Sequence, residues 1–174
     1  MMRKKVDRRD SLKARRGTSP YSDPVAELVG FGFRGWLYGI QHVDVLAWET
    51  VWRRYAGLLG TVQARVIVSE LETWTRCVDR TACRKLDLEC MSCPRLSTDE
   101  RLATSIVAAA QHQSCPAMRA CAFALMDTSE IDPMLDRAEQ FARALMSADQ
   151  VLPYWAIDSG LRPHTSSNCK NTVH

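Results

Sequence analysis

A helix start is written into residues 97–100, and it constrains the fold more than any other stretch of the chain. Ser97, Thr98, Asp99 and Glu100 fit a capping box, in which the Ser97 hydroxyl accepts from the Glu100 amide and the Glu100 carboxylate reaches back to the Ser97 amide. Two acids in the first turn also suit the positive end of the helix dipole. Leu102, Ile106, Ala109 and Ala110 follow at helical spacing, and the three alanines 108–110 leave room for a neighbouring backbone. Gln113 ends the run. Ser114, Cys115 and Pro116 restart it, with Met118, Cys121, Ala122 and Leu125 as the next stripe. The spacing predicts an antiparallel helix pair with a tight turn at the centre of the domain.

Upstream, Asp23 and Pro24 suit a helix cap and first position, ahead of Val25, Leu28, Val29, Phe31, Trp36, Leu37 and Ile40. Glycines at 30, 32, 35 and 39 cost about 1 kcal/mol each in a helix relative to alanine. They imply either close helix contact or a break near Gly30–Gly32 that delays the start to about Phe33. Asp44 reads as the next cap, and Trp48, Val51, Trp52, Tyr55, Leu58 and Leu59 form the best amphipathic pattern, stopped by Gly60. Thr61 reads as the cap of a third helix with the stripe Ile67, Leu71, Trp74 and Val78. Residues 80–96 read as an irregular linker. Asp132 and Pro133 open a last helix whose buried face is Leu135, Ala138, Phe141, Ala142 and Leu145, and residues 151–155 tuck back as an extended segment. The fold class expected is all-α: a compact bundle of five to six helices over 24–155, a disordered basic arm over 1–23 and a flexible tail over 156–174.

A chain of 174 residues is one domain by size, and 46% apolar residues suffice for a core. The net charge of +3 conceals an asymmetry. Residues 1–16 hold eight basic side chains (Arg3, Lys4, Lys5, Arg8, Arg9, Lys13, Arg15 and Arg16) against Asp7 and Asp10, and the remainder holds fifteen against eighteen acids. The basic start is not followed by an apolar run, so no secretory signal is read. The longest charge-free stretch, Leu102 to Met118, is interrupted by Gln111, His112, Gln113 and Pro116 and is no membrane span. Seven cysteines without a signal point to reduced thiols in a cytoplasm.

The run Cys93-Pro-Arg-Leu-Ser-Thr-Asp99-Glu100, then Ala108-Ala-Ala-Gln111, resembles a group of small helical proteins from alphaproteobacteria. In that group a cysteine followed by a Leu-x-x-Asp-Glu step opens an alanine-rich helix. Trp48-Glu-Thr-Val-Trp52, Tyr55 and Leu59-Gly60 are similar to the same group, and the resemblance spans roughly Gly35 to Leu152. It implies a bacterial source and a helical fold, with no known activity and no catalytic residue. Some members carry further cysteines beside the Asp-Glu step, where this chain has Ser97 and Arg101.

Chemistry-bearing residues are sparse. Cys90-x-x-Cys93 has metal-knuckle spacing, and Cys77, Cys83, Cys115, Cys121 or His112 could complete a site, but no second close pair follows. A redox role is disfavoured because the pair precedes the helix start by several residues. Asp99 and Glu100 point about 100° apart on a helix and do not converge on one substrate atom, so capping accounts for both. His112 near Cys115 lacks an orienting third group for a thiol nucleophile. The tryptophans at 36, 48, 52 and 74 read chiefly as core. No catalytic residue, cofactor or metal is assigned. The function expected is a non-enzymatic interaction or regulatory protein acting through an apolar helix face, with a protein partner, no membrane partner, and a homo-oligomer compatible with the pattern. The alternative is a nucleic-acid-associated protein using the basic arm, whose lysines and arginines suit phosphate backbones but lack interleaved aromatics.

Overall fold

Asp23 sets the first helix: its carboxylate accepts from the amides of Val25 and Ala26, and Pro24 takes the first position, where no amide donor is needed. The computed structural model describes residues 23–161, and over them the chain is all-helical. The helices are α1 (Pro24–His42), α2 (Val45–Leu59), α3 (Thr61–Thr81), α4 (Thr98–Gln111), α5 (Cys115–Met126) and α6 (Asp132–Met146), followed by a short 3₁₀ helix (Tyr154–Asp158).

α1 runs unbroken through its four glycines. Added Cβ atoms would collide with Leu96 at Gly30, Tyr55 at Gly32, Val51 and Met91 at Gly35, and Trp48 at Gly39. Close contact is therefore the reason for the glycines, and the break near Gly30–Gly32 does not occur. Two polar tips use the approach: the buried Tyr55 hydroxyl donates to the Leu28 carbonyl at 3.0 Å, and Nε1 of the half-buried Trp48 donates to the Trp36 carbonyl at 3.1 Å.

α2 is capped by Asp44, as its spacing predicts. Gly60, not Thr61, occupies the cap of α3, and Ile131, not Asp132, that of α6; Thr61 and Asp132 are the first helical residues. The α3 stripe of Ile67, Leu71, Trp74 and Val78 is fully buried, as is the α6 stripe of Leu135, Ala138, Phe141, Ala142 and Leu145. Trp74 joins them, stacked on Phe141 at 5.4 Å and tilted against Phe33 at 5.3 Å.

α4 lies at the centre, in contact with α1, α5, α6 and the 3₁₀ helix. Its alanines make this possible, since a helix surrounded on all sides needs small side chains where neighbours approach. After α6 the chain returns over α4. Gln111 holds this return at both ends of its amide, donating to the Gln150 carbonyl at 2.9 Å and accepting from the Leu152 amide at 2.8 Å. The buried Ser105 hydroxyl donates to the Ala156 carbonyl at 2.7 Å and accepts from the Gly160 amide at 2.9 Å. The segment expected to be extended thus ends in a 3₁₀ turn, and the packed body continues past residue 155 to the buried Gly160. The basic arm through residue 22, and residues 162–174, lie outside the described part. Among the described residues no helix is long and apolar enough to cross a membrane.

Candidate functional site

The irregular linker between α3 and α4 is held by the first turn of α4. The capping box forms: Glu100 N donates to the Ser97 hydroxyl at 3.1 Å, and Ser97 N donates to Glu100 Oε2 at 2.9 Å. Each of its members also has a second task. The Ser97 hydroxyl donates to the Asp87 carbonyl at 2.6 Å, and Glu100 Oε1 accepts from the Glu89 amide at 3.0 Å.

Glu100 further receives a bidentate grip from Arg34 on α1, with Nε at 2.7 Å from Oε1 and Nη2 at 2.8 Å from Oε2. Arg34 spends its remaining donors on three linker carbonyls: Nη1 on Cys90 (2.9 Å) and Cys93 (2.8 Å), Nη2 on Arg95 (2.6 Å). Burial pulls the Arg34 guanidinium down, but the hydrogen bonds and charge of Glu100 outweigh it and hold the group above the ordinary arginine value. Both side chains are essentially inaccessible, so the pair is a buried ion pair with every linker carbonyl it faces satisfied.

Asp99 does not act as a helix cap, contrary to the expectation that capping accounts for both acids. Its carboxylate pairs with Arg84 and accepts from the Asp87 amide at 2.6 Å. The two neighbouring acids thus diverge, as helical geometry requires, and each fastens a different part of the linker. Arg34 has a visible signal in the sequence: it is the one charged residue between Leu28 and Gln41, amid an otherwise apolar and glycine-rich run.

Beneath this knot, Cys90 and Cys93 bound a four-residue turn closed by Cys93 N donating to the Cys90 carbonyl at 2.9 Å. Cys90 is exposed and Cys93 half-buried. The turn forms one wall of a cleft of about 260 Å³, whose other side includes Phe31, Arg34 and Arg54. The Arg54 guanidinium lies over the Phe31 ring, 4.6 Å from its centre. Among the described residues no three of His, Cys, Asp and Glu gather where they could share a metal ion. Cys121 is buried in the core, and desolvation there pushes its thiol up to about 11. His112 does not face Cys115 as a base: Nε2 meets the Leu152 carbonyl at 2.8 Å, and the ring sits edge-on to Tyr154.

A second surface is built by α2 and α3. Their contact leaves Leu58 64% and Val62 80% exposed at the corner between them, and Val66 lies one turn beyond Val62 on α3. The α2 stripe therefore buries Val51 and Tyr55 but does not bury Leu58. Gly57 and Gly60 sit at the same corner with none of the described residues within 4 Å of where a Cβ would stand, unlike the four filled glycines of α1.

Compared with family models, with curated proteins and with solved structures, the chain matches none.

Proposed function

We propose that the protein is a non-enzymatic interaction or regulatory protein of a bacterial cytoplasm, and that it engages a protein partner through the α2–α3 corner. The observation carrying this reading is the combination of exposed Leu58, Val62 and Val66 with the open backbone at Gly57. An exposed glycine inside a helix costs about 0.5–1 kcal/mol relative to alanine, and among the described residues no contact uses the space it leaves. Small residues beside exposed aliphatic ones let a partner's backbone approach while its apolar side chains cover the leucine and valines. A partner helix with its own apolar stripe fits this shape, since such a helix lays its i, i+3 and i+4 anchors into a shallow groove.

The acids of the α4 start favour this reading over an enzyme, because Asp99 and Glu100 are both engaged with arginines and linker amides. The test is capture from native lysate with tagged wild type, with Leu58→Asp/Val62→Asp, and with Phe123→Asp as a control at an exposed apolar residue on α5. A partner retained by wild type and by the control, and lost by the double variant, supports the assignment. Equal retention by all three contradicts it.

A further inference from the structure

The exposed turn at Cys90–Cys93 combines two thiols with a backbone fixed by hydrogen bonds. Hydrogen-bonded four-residue turns bring their end Cα atoms within about 7 Å. Disulfides span Cα separations of about 4.4–6.8 Å, so a turn of this kind brings its end residues into the range a disulfide bridges. The backbone of this turn is held in place from below, because Arg34 donates to the carbonyls of both cysteines. Cys90 faces solvent and Cys93 lines the cleft beside Arg34 and Arg54. That is the arrangement of an accessible attacking thiol and a sheltered resolving one.

We propose that Cys90 and Cys93 form a modification site that takes a low-molecular-weight disulfide of the glutathione class as its oxidant and closes into an intramolecular disulfide. The Cys90 thiolate, its proton lost to solvent, attacks one sulfur of glutathione disulfide. A Cys90–glutathione bond forms, the glutathione S–S bond breaks, and the departing thiolate takes up a proton. The Cys93 thiolate then attacks Cys90 Sγ, forming the Cys90–Cys93 bond and releasing the second glutathione, which is likewise protonated. The protein loses two electrons and two protons, and one glutathione disulfide becomes two thiols.

The surroundings set this pair apart from the other described cysteines. The Cys90 sulfur and the Ser92 hydroxyl are hydrogen-bonded at 3.4 Å, and this contact, with smaller help from backbone groups and Arg34, holds the Cys90 thiol below its ordinary value. Burial pushes the thiols of Cys77 and Cys121 the other way. Cys83 and Cys115 are exposed, but neither has a cysteine within four residues in the chain. The pair stands several residues before the start of α4, and what fixes its turn is the Arg34 guanidinium, which donates to both cysteine carbonyls while its charge is matched by Glu100.

The experiment equilibrates the full chain against a series of glutathione buffers, quenches with acid, and maps all seven cysteines by differential alkylation and mass spectrometry. Cys90 and Cys93 are expected to lose alkylation together, linked to one another, at a glutathione disulfide level about tenfold below that which modifies Cys83 or Cys115. In Cys93→Ser, whose helical circular dichroism should match wild type, a glutathione adduct should accumulate on Cys90. The assignment is overturned if Cys83 or Cys115 reacts first, or if the Cys90 adduct persists in wild type beside a free Cys93. The same preference in the urea-unfolded chain would also overturn it, since the folded turn is then not what selects the pair.

Discussion

Glu100 ties three elements together, since its two oxygens serve the helix cap, a linker amide and a guanidinium from α1. Removing one partner of such a pair leaves the other buried and uncompensated. Arg34→Met and Glu100→Gln should each cost about 3–5 kcal/mol, read from denaturant melts. The double variant Arg34→Met/Glu100→Leu should stay well below wild type. Three linker carbonyls lose their donor with Arg34, whatever replaces the acid. Ser97→Ala should cost about 1–2 kcal/mol. Asp99→Asn should cost no less, about 1–3 kcal/mol, because it weakens the grip on Arg84 and the Asp87 amide. The capping box was legible in the sequence because it is local, four residues with a fixed geometry. The Arg34 pairing was not, because 66 residues separate the partners and no periodicity links them. Cys121 gives a pH test at the same scale. Its thiol is neutral and buried, with its folded value raised from 9.0 to about 11, so the unfolded chain releases this proton first. The stabilisation is complete below pH 9 and is lost as pH rises toward 11, which urea melts in reductant should follow; Cys121→Ala should flatten that part of the profile.

At the scale of elements, the glycines separate two kinds of helix surface. In α1 they are filled by Leu96, Tyr55, Val51, Met91 and Trp48, and α1 is continuous; in α2, Gly57 is filled by none of the described residues. Gly57→Ala should therefore raise stability by about 0.5–1 kcal/mol while weakening partner capture, a pair of opposite effects that packing alone does not produce. A matching substitution at Gly32 should lower stability, because the new methyl meets the buried Tyr55 ring. Sequence periodicity located the six helices of the described residues, and every residue expected in the stripes of α3 and α6 is buried, with Ala64, Val68, Met134 and Ala144 beside them. It could not tell where the edge of the α2 stripe lies, because amphipathicity marks a face and not its width: Leu59 packs against the core while Leu58 beside it is exposed. Leu58 belongs to the stripe by spacing, yet lies beyond the reach of α1 and α3. The return of residues 151–155 was legible, but its 3₁₀ turn and its continuation to Gly160 were not. Ser105 and Gln111 secure it through side-chain to backbone bonds that carry no periodic signature.

For the whole molecule, α4 lies at the centre with the linker fastened to its first turn, and the contact proposed is the α2–α3 corner, where Leu58, Val62 and Val66 are exposed. The rival is electrostatic: a basic arm of net +6 attached to a remainder of net −3. The two differ in their response to salt. Apolar contact is little weakened by moderate salt, whereas six phosphate contacts on duplex DNA give a log–log slope of about −5. Capture from lysate should thus be measured between about 50 and 200 mM salt, for wild type, for a deletion of residues 2–18, and for Leu58→Asp/Val62→Asp. The expected result is a protein partner held across the salt range by wild type and by the deletion, and lost in the double variant. Retention that collapses with salt and disappears with the arm, while the double variant binds as wild type does, would contradict it.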